Sequence, residues 1–335
     1  MDLSIIIVNY KSAQLTINAI SSIKKYTQNI NYEVIVIDND SQDDSQNLIV
    51  EHHPEIVWLQ TGYNAGFGRA NNLGFERAKG TYLLLLNADT LIFDDVIQRS
   101  ISKLLSDPSL AAIGGIQLDK DKLEMPFYRS SQEIRRTFYI FPPGEYFDNL
   151  LKKIFPDPVF ETTNQTNILV GAYIMLPKNT LQKAGGFDAD FFMYGEDLEW
   201  CGRLHKIGKL SYFEDIRFIH LENQSPFRRT QISFVNRFSV QMQVSNLLWI
   251  RKEFGVASYL LILANYLIVG LLFYAWKFGV NTIKYGSPLK EMKNQKLFLL
   301  KLKVLMKFSI STIFGTKKLF KVQAQDNIDQ LYKND

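Results

Sequence analysis

The acidic run in Tyr194-Gly195-Glu196-Asp197 has the clearest chemical use of any pattern in this chain. It stands among aromatic residues, and partial loss of water raises the pKa of a carboxyl group toward neutral pH, where it can act as a general base. The same acids also suit the first turn of a helix, where the helix dipole favours negative charge. The two roles are compatible, so Asp197, with Glu196 beside it, is the candidate base.

A second candidate carboxylate, Asp89, follows an apolar run at 83–86 and the pair Asn87-Ala88. Hard divalent cations prefer such oxygen ligands and commonly bridge substrate phosphates. His220 follows the mostly apolar residues 216–219 and is a further candidate ligand. Asp89 as a helix cap and His220 as a structural histidine remain the alternatives, so the pattern predicts a metal site without excluding them.

Two other polar segments suit a nucleotide. Asp38-Asn39-Asp40-Ser41 follows an apolar strand, where a carboxylate can accept hydrogen bonds from a base or ribose, although it could equally cap the next helix. The glycines in 64–72 allow backbone N–H groups to approach a phosphate, or form an ordinary turn. The phosphate-binding P-loop and the dinucleotide glycine fingerprint are both absent from the sequence, which argues against ATP hydrolysis and hydride transfer.

The elements that must position these residues alternate along the first 120 residues. Apolar runs predict strands, helical periodicity predicts the segments between them, and the alternation is typical of a parallel sheet covered by helices. Strands are predicted at 3–8, 33–37, 56–59, 82–86 and 111–117, and helices at 43–51, 65–79 and 94–106. Ligands bind beyond the carboxyl ends of such strands. Residues 120–165, rich in proline, predict an irregular insertion over the active face, and a second ordered block spans 167–222.

Taken in order, these motifs resemble glycosyltransferase family 2, and within it the rhamnosyltransferase-like branch. The matching pieces lie at 4–10, 36–41, 64–67, 87–90, 185–188 and 194–197, and the resemblance covers about residues 3–225. It implies an α/β fold of the GT-A type, in which a mostly parallel central sheet is flanked by helices, followed here by C-terminal hydrophobic and amphipathic helices.

The resemblance also implies roles for individual residues. Asp38 would hold a uracil or thymine base, Asp89 and His220 would hold Mg²⁺ or Mn²⁺, and Asp197 would be the base of a one-step, inverting displacement. Asn87 stands where many family members carry an aspartate, so this site has one negative charge fewer. The residues implied to bind the nucleotide sugar are Val8, Asn9, Tyr10, Asp38, Asn39, Asn64, Gly66, Phe67, Asn71, Asn87 and Ala88.

The C-terminal region differs in charge and hydropathy from the rest. Residues 277–323 contain eleven lysines against Glu291 alone, a formal charge of +10, and residues 256–276 carry no charge. Apolar area combined with lysines is typical of helices on an anionic membrane surface. We prefer an interfacial helix pair to a membrane span or to a core or oligomerisation helix, and we expect no nucleic-acid binding, because the body lacks a basic–aromatic groove pattern.

The sequence therefore predicts a GT-A domain over 1–230, with a nucleotide-binding half at 1–120 and an acceptor and catalytic half at 121–230. A membrane-associating helical region at 231–323 and a flexible tail at 324–335 follow. No secretory signal is expected, and the predicted location is the cytoplasmic face of the bacterial inner membrane. The lone Cys201 excludes an internal disulfide.

The expected activity is transfer of a sugar, rhamnose from dTDP-rhamnose as the first guess, from a dTDP- or UDP-sugar to a glycan or polyprenyl-diphosphate-linked glycan. A catalytically silent nucleotide-sugar-binding scaffold of a polysaccharide assembly complex is the alternative from another class. A sugar nucleotidyltransferase is the rival enzyme, but it would carry a loop rich in glycine and arginine where this chain has Tyr10-Lys11-Ser12-Ala13.

Overall fold

The computed structural model describes residues 1–140, 145–221 and 239–327 of the chain. These residues fall into two compact units. The first comprises residues 1–131, 159–192 and 196–221, and the second comprises residues 132–140, 145–158, 193–195 and 239–327. The predicted boundary at residue 230 lies outside the described residues.

The first unit contains a nine-stranded mixed sheet. The strands run in the order β3-β2-β1-β4-β8-β6-β9-β5, and β7 pairs with β9. Most strands share one direction, while β8 lies antiparallel between β4 and β6, so the prediction of a mostly parallel sheet is confirmed. The strands are β1 (Leu3–Asn9), β2 (Tyr32–Asp38), β3 (Val57–Gln60), β4 (Tyr82–Asn87), β5 (Thr90–Leu91), β6 (Leu110–Leu118), β7 (Gln165–Thr166), β8 (Tyr173–Pro177) and β9 (Lys209–His220).

Helices cover both faces of this sheet because its central strands are apolar on both sides. On β1, Ile5 and Ile7 pack into one cluster with apolar side chains of the first, second and fourth helices, while Ile6 packs into another with side chains of the third, seventh and eighth. The helices of this unit are α1 (Ala13–Tyr26), α2 (Ser45–His52), α3 (Phe67–Arg77), α4 (Val96–Ser106), α7 (Lys178–Ala184) and α8 (Glu196–His205). The result is a three-layer α/β structure.

The register of the sheet aligns the ends of the strands that carry the candidate residues. Asn9 at the end of β1 lies opposite Asp38 at the end of β2, and Val8 lies opposite Asn87 at the end of β4. Because these three strands are parallel, their carboxyl ends meet at one edge. The polar residues predicted to surround a nucleotide therefore lie together.

The second unit is helical. It contains most of α5 (Ser131–Thr137), together with α6 (Glu145–Ile154), α9 (Val240–Tyr285) and α10 (Lys293–Phe314). The residues of α5 and α6 fall within the segment predicted to be irregular, and that prediction is wrong for them. Among the described residues of this segment, Pro126, Pro156 and Pro158 lie outside the helices and do not prevent short helices between them.

The long helix α9 is interrupted at Gly255, whose φ of 84° and ψ of 174° are not helical. Beyond this kink, α9 packs on α10 at a close contact where a side chain at Gly270 would meet Phe298 and Leu302. Residues 324–326, the start of the predicted flexible tail, form a short 3₁₀ turn in which Asp326 pairs with Lys307. Residues 328–335 lie outside the described part of the chain.

Candidate active site

The loop at the ends of β1 and β2 is held by Asn9, which is fully buried. Its amide nitrogen donates to Asp38 Oδ1 at 2.7 Å and to Ser41 Oγ at 3.2 Å, while its carbonyl oxygen accepts from Ser12 and Thr16. Ser41 in turn donates to Asp38 through its backbone N–H at 3.0 Å and through its hydroxyl group. Asn9 and Asp38 therefore organise the loop at the ends of β1 and β2, and the predicted contact between Asp38 and a base stays a prediction.

The turn before α3 depends on two asparagines and a glycine. Asn39 Nδ2 donates to Asn64 Oδ1 at 3.1 Å, which fixes the turn against the end of β2. Gly66 has a φ of 85°, and a Cβ there would lie 2.0 Å from the carbonyl oxygen of Phe192. The same carbonyl accepts the N–H of Phe67 at 3.1 Å. Only glycine fits this position, for steric and conformational reasons.

The candidate metal residues come together although they are more than a hundred positions apart. His220 Nε2 lies 3.0 Å from Asp89 Oδ1 and 3.3 Å from Asn87 Nδ2, and the backbone of Leu221 bonds to the carbonyl oxygen of Asp89. Asn87 Oδ1 and His220 Nδ1 are both buried without a hydrogen-bond partner among the described atoms. β9 brings His220 here by pairing with β5 at Thr90.

The chemistry of this donor set fits a divalent cation that also binds a substrate. No group of three or more His, Cys, Asp and Glu side chains that could hold a metal occurs in the described part of the chain. Asp89, His220 and the orphaned oxygen of Asn87 are a partial set, and Mg²⁺ and Mn²⁺ commonly complete such a set with water and substrate phosphates. An amide can turn to offer its oxygen in place of its nitrogen.

Glu196 and Asp197 begin α8, as the sequence indicates. Glu196 is 4% exposed, and its Oε2 atom has no hydrogen-bond partner among the described residues. Burial, assisted by the neighbouring charge of Asp197, raises the pKa of Glu196 to about 8. Burial also raises the pKa of Asp197, but the N–H groups of Leu198 and Gly171 stabilise its charged form and oppose that shift. The two adjacent carboxyl groups therefore titrate as a coupled pair, and the pKa values of both are raised by loss of water.

A short segment before β8 lies next to both groups of candidate residues. The N–H of Asn87 donates to the carbonyl oxygen of Ala172 at 3.1 Å, while the backbone of Gly171 bonds to Asp197. A Cβ at Gly171 would lie 3.2 Å from Asp197 Oδ2, a tight contact. The end of β4 and the start of α8 are therefore joined through two neighbouring residues, which sequence reasoning missed because Val170-Gly171-Ala172 carries no reactive side chain.

Asn72 and an aromatic cluster hold α8 in place. The side chain of Asn72 accepts from the N–H of Phe187 at 2.7 Å and donates to its carbonyl oxygen at 2.9 Å. The ring of Phe187 lies 4.5 Å from that of Trp200 and 5.9 Å from that of Phe75. Trp200 is fully buried one turn after Asp197, and its indole N–H donates to Gly185. These contacts fix the helix that carries the acids.

The predicted nucleotide-binding residues differ in exposure. Asn71 is buried and donates to the carbonyl oxygen of Phe67 within α3, so it supports the helix. Tyr10 is 42% exposed and available to a ligand. Val8, Asn64, Phe67, Asn87 and Ala88 are half-buried at the same edge. The supporting roles of Ser41 and Asn72 were not predicted, although both residues stand inside the motifs.

Comparison with known proteins places the chain in a family. The model of glycosyl transferase family 2 matches residues 4–176, more than half of the chain, and the chain belongs to this family. The matched segment contains the strand ends and Asp89, and α8 and His220 lie beyond it.

The relatives include enzymes of glycan assembly. The low-salt glycan biosynthesis hexosyltransferase Agl10 of Haloferax volcanii is 24% identical over 81% of this chain and 85% of its own. Rhamnosyltransferase WbbL of Escherichia coli K12 is 25% identical over 62% of this chain and 82% of its own. The N-acetylglucosaminyl-diphospho-decaprenol L-rhamnosyltransferase of Mycobacterium tuberculosis is 25% identical over 54% of this chain and 63% of its own.

Solved structures confirm the GT-A fold. The mannosyltransferase PcManGT of Pyrobaculum calidifontis, in complex with GDP-Man and Mn²⁺, superimposes with a TM-score of 0.51 at 14% identity, over 94% of this chain and 88% of the other. S. aureus TarS 1–349 superimposes with a TM-score of 0.51 at 12% identity, over 99% of this chain and 91% of the other. At these identities the likeness establishes the fold.

We expect Glu196→Gln to stabilise the chain against unfolding by an amount that grows with pH. Between the ordinary pKa of 4.5 and the folded-state value of about 8, folded Glu196 keeps a proton that the unfolded chain has lost. Wild-type stability therefore falls as pH rises through this window, whereas glutamine stays neutral. Thermal unfolding followed by circular dichroism at about pH 5 and about pH 9 measures the difference in Tm.

The exposed Glu51→Gln is the matched control and should leave the Tm unchanged at both pH values. The increase in Tm caused by Glu196→Gln could instead be equal at the two pH values, or smaller at the higher one. That result would show that the carboxyl group of Glu196 ionises as freely in the folded chain as in water.

Proposed function

We propose that this chain is an inverting glycosyltransferase that transfers a sugar from a dTDP- or UDP-sugar to a glycan or polyprenyl-diphosphate-linked glycan. The observation that carries the proposal is the arrangement around Gly171 and Ala172, which connect the half-buried Asp197 with Asn87, Asp89 and His220. A base for the acceptor and a charged group for the leaving diphosphate are the two parts that one-step sugar transfer needs.

In the proposed step, Asp197 takes the proton of an acceptor hydroxyl group as its oxygen attacks the anomeric carbon. The bond from that carbon to the diphosphate oxygen breaks on the opposite face, and its electron pair leaves with the nucleoside diphosphate. The anomeric configuration is inverted, because attack and departure occur on opposite faces. Protonated Glu196 keeps a second charge away from Asp197, and the backbone donors at Leu198 and Gly171 hold the carboxylate in position.

Asp89, His220 and Asn87 would hold Mg²⁺ or Mn²⁺ together with the donor diphosphate. The bound cation would neutralise the negative charge that develops on the diphosphate as the sugar leaves. The structural relative that contains GDP-Man and Mn²⁺ supports this assignment. With asparagine at position 87, the chain itself contributes a single carboxylate among these three side chains, so a bound diphosphate would supply much of the negative charge.

Rhamnose from dTDP-rhamnose is the donor that we propose to test first. Two of the relatives are named as rhamnosyltransferases, and the name of one includes a diphospho-decaprenol acceptor. Release of nucleoside diphosphate from dTDP-rhamnose, UDP-sugars and GDP-mannose, with and without Mn²⁺, identifies the donor. If the chain binds a nucleotide sugar but releases nucleoside diphosphate from none of them, the catalytically silent scaffold is favoured.

We expect Asp197→Asn to lower transfer by about 10²- to 10⁴-fold, the usual contribution of a general base, and to leave donor affinity unchanged. Asparagine keeps the shape and loses the ability to accept a proton. Turnover measured by nucleoside diphosphate release, together with calorimetric titration of the donor, separates the two effects. Weakened donor binding with normal turnover would assign Asp197 to the donor pocket and remove it as the base.

We expect Asp89→Asn to weaken Mn²⁺ binding in the presence of dTDP, because it removes the one carboxylate of the proposed site. Electron paramagnetic resonance of free Mn²⁺ measures this without turnover. The exposed Asp121→Asn, which makes the same change of charge elsewhere, serves as control. Equal Mn²⁺ affinity in both variants would place the cation elsewhere or leave it bound by dTDP alone.

We also propose that the second unit binds the cytoplasmic face of the bacterial inner membrane. Within the described residues one helix, Val240–Tyr285, is long and apolar enough to cross a membrane by length and composition. Its side beyond Gly255 exposes apolar side chains at helical spacing, and exposed lysines stand nearby on α10. The exposed apolar residues are Leu260, Leu261, Leu267, Ile268, Leu271, Leu272 and Trp276. Lys301 is 1% exposed, so it cannot contribute to a lipid surface as the sequence suggests.

We expect the chain to float with vesicles that contain anionic phosphatidylglycerol and to bind neutral phosphatidylcholine vesicles more weakly. Changing the exposed Lys293, Lys296 and Lys303 to glutamine should weaken binding by about 100-fold, at about 1 kcal/mol for each lysine. The same change at the exposed Lys120, Lys183 and Lys206 is the control. Release by alkaline carbonate would support an interfacial position, and retention would support a span. If the two triple variants lost vesicle binding equally, or if the wild-type chain bound no vesicles, the proposed lipid-binding surface would be contradicted.

A further inference from the structure

Arg135 on α5 places a buried positive charge against α9. The residue is 8% exposed, and its guanidinium group lies against two aromatic rings. The Cζ atom is 3.8 Å from the ring centroid of Phe155 and 4.5 Å from that of Phe254. Nη2 donates to Ser258 Oγ at 2.8 Å, and Nη1 donates to Gln132 Oε1 at 3.4 Å. All of these residues belong to the second unit.

The partners of this guanidinium group supply no counter-charge. Its Nε atom is buried without a hydrogen-bond partner among the described atoms. Loss of water lowers the pKa of Arg135, and the group that opposes this shift is Tyr139 rather than a carboxylate. The adjacent Arg136 differs, because it donates to both carboxylate oxygens of Asp157. Arginine stays charged when it is buried, and a buried charge without an opposite charge is costly. Arg135 is therefore suited to an anion.

The same guanidinium group contacts the first turn of a helical segment. The backbone of α9 is not helical at Gly255, and its second part follows this break. The first N–H groups of a helix have no partners within it, and the helix dipole makes this end positive. Ser258, which accepts from Arg135, lies in this turn, and residues 256–259 contain no acid. Glu253, the acid before the break, is not among the groups that shift the pKa of Arg135. Two positive groups therefore meet here, and a phosphate stabilises such an arrangement.

The apolar side chains beyond this turn indicate what the phosphate is attached to. Residues 256–276 carry no charge, and Leu260 and Leu261 are exposed directly after the turn. Ser258 and Leu261 are three residues apart, so they lie on the same side of the helix. A lipid can place its phosphate group at Arg135 and its apolar chain along this exposed side. A soluble phosphate would leave the apolar side unused.

We propose that Arg135 and the first turn of residues 256–285 form a binding site for the phosphate group of a lipid. The ligand is a polyprenyl diphosphate or a membrane phospholipid, which share a phosphate ester on a long apolar chain. Arginine suits this ligand because its planar fork can bond phosphate oxygens through two N–H groups. The inference rests on the proposed contact of the second unit with lipid. It adds a site for one lipid molecule to the general attraction of the exposed lysines.

The test titrates the full chain with two lipid probes, in EDTA so that the proposed Mn²⁺ site takes no part. Farnesyl diphosphate represents the polyprenyl diphosphate, and dihexanoyl phosphatidylglycerol represents the phospholipid. We expect the wild-type chain to bind one of these probes more tightly, which identifies the source of the phosphate. Hydrogen bonds to a charged group are strong, so Arg135→Gln should lower that affinity about 10- to 100-fold, as measured by calorimetric titration. The tighter probe should also raise the Tm of the wild-type chain and not that of Arg135→Gln.

Lys153→Gln is the matched control, since it removes the same charge at an exposed position on α6. It should keep the wild-type affinity at about 0.15 M salt, where exposed charges are screened. Inorganic pyrophosphate and farnesol each offer one part of the ligand and should bind more weakly than the tighter lipid probe. The proposal would be overturned if neither lipid probe bound, if pyrophosphate bound as tightly, or if Arg135→Gln kept the wild-type affinity.

If Arg135→Gln does not fold, Arg135→Lys tests the same site, because lysine keeps the charge and loses the planar fork. It should bind the tighter probe more weakly than the wild-type chain does, and unchanged affinity would overturn the proposal. Failure of the proposed membrane binding is seen separately. A chain that binds a lipid probe but no vesicles has the phosphate site and lacks the membrane surface, whereas a chain that binds vesicles but neither probe lacks only the phosphate site.

Discussion

The partial exclusion of water from two adjacent carboxyl groups at the start of α8, buried Glu196 and half-buried Asp197, is the constraint on which the site depends. A carboxyl group in water is ionised at neutral pH and is a weak base, whereas burial raises the pKa values of Glu196 and Asp197. The chain meets the cost of this burial with backbone donors at Asp197 and a retained proton at Glu196. The rings of Phe187 and Trp200 pack against each other at the same helix, and this contact keeps the surroundings of the two carboxyl groups rigid.

The antiparallel strand β8 solves the problem of joining two distant parts of the chain. It enters the sheet beside β4, with Tyr173 opposite Leu86, so the residues before it pass the end of β4. Gly171 and Ala172 therefore meet Asn87 on one side and Asp197 on the other. A parallel strand in this position would bring its carboxyl end to the edge, and its preceding loop would lie at the far end of the sheet. The direction of a single strand thus determines which residues share the site.

Much of the fold could be predicted, because the apolar runs that form β1, β2 and β4 are buried on both faces, as is typical of strands in a parallel sheet covered by helices. The site residues that carry reactive groups were also visible, and the structure brings Asp89 and His220 together. Gly171 could not be predicted, since its part depends on a tertiary contact of its backbone. The burial of Lys301 and the helices α5 and α6 were missed for a related reason: composition describes a segment, but packing partners decide whether a lysine is covered or a proline-rich segment forms helices.

The interruption of α9 at Gly255 has a mechanical consequence. The part before the kink carries buried side chains such as Ser245, and the part after it carries the apolar side chains that we assign to a lipid surface. In an unbroken rod, any tilt of the outer part would be carried directly into the packing of the inner part. Because the backbone at Gly255 is not helical, the proposed lipid-facing part can change its tilt while the inner part keeps its packing.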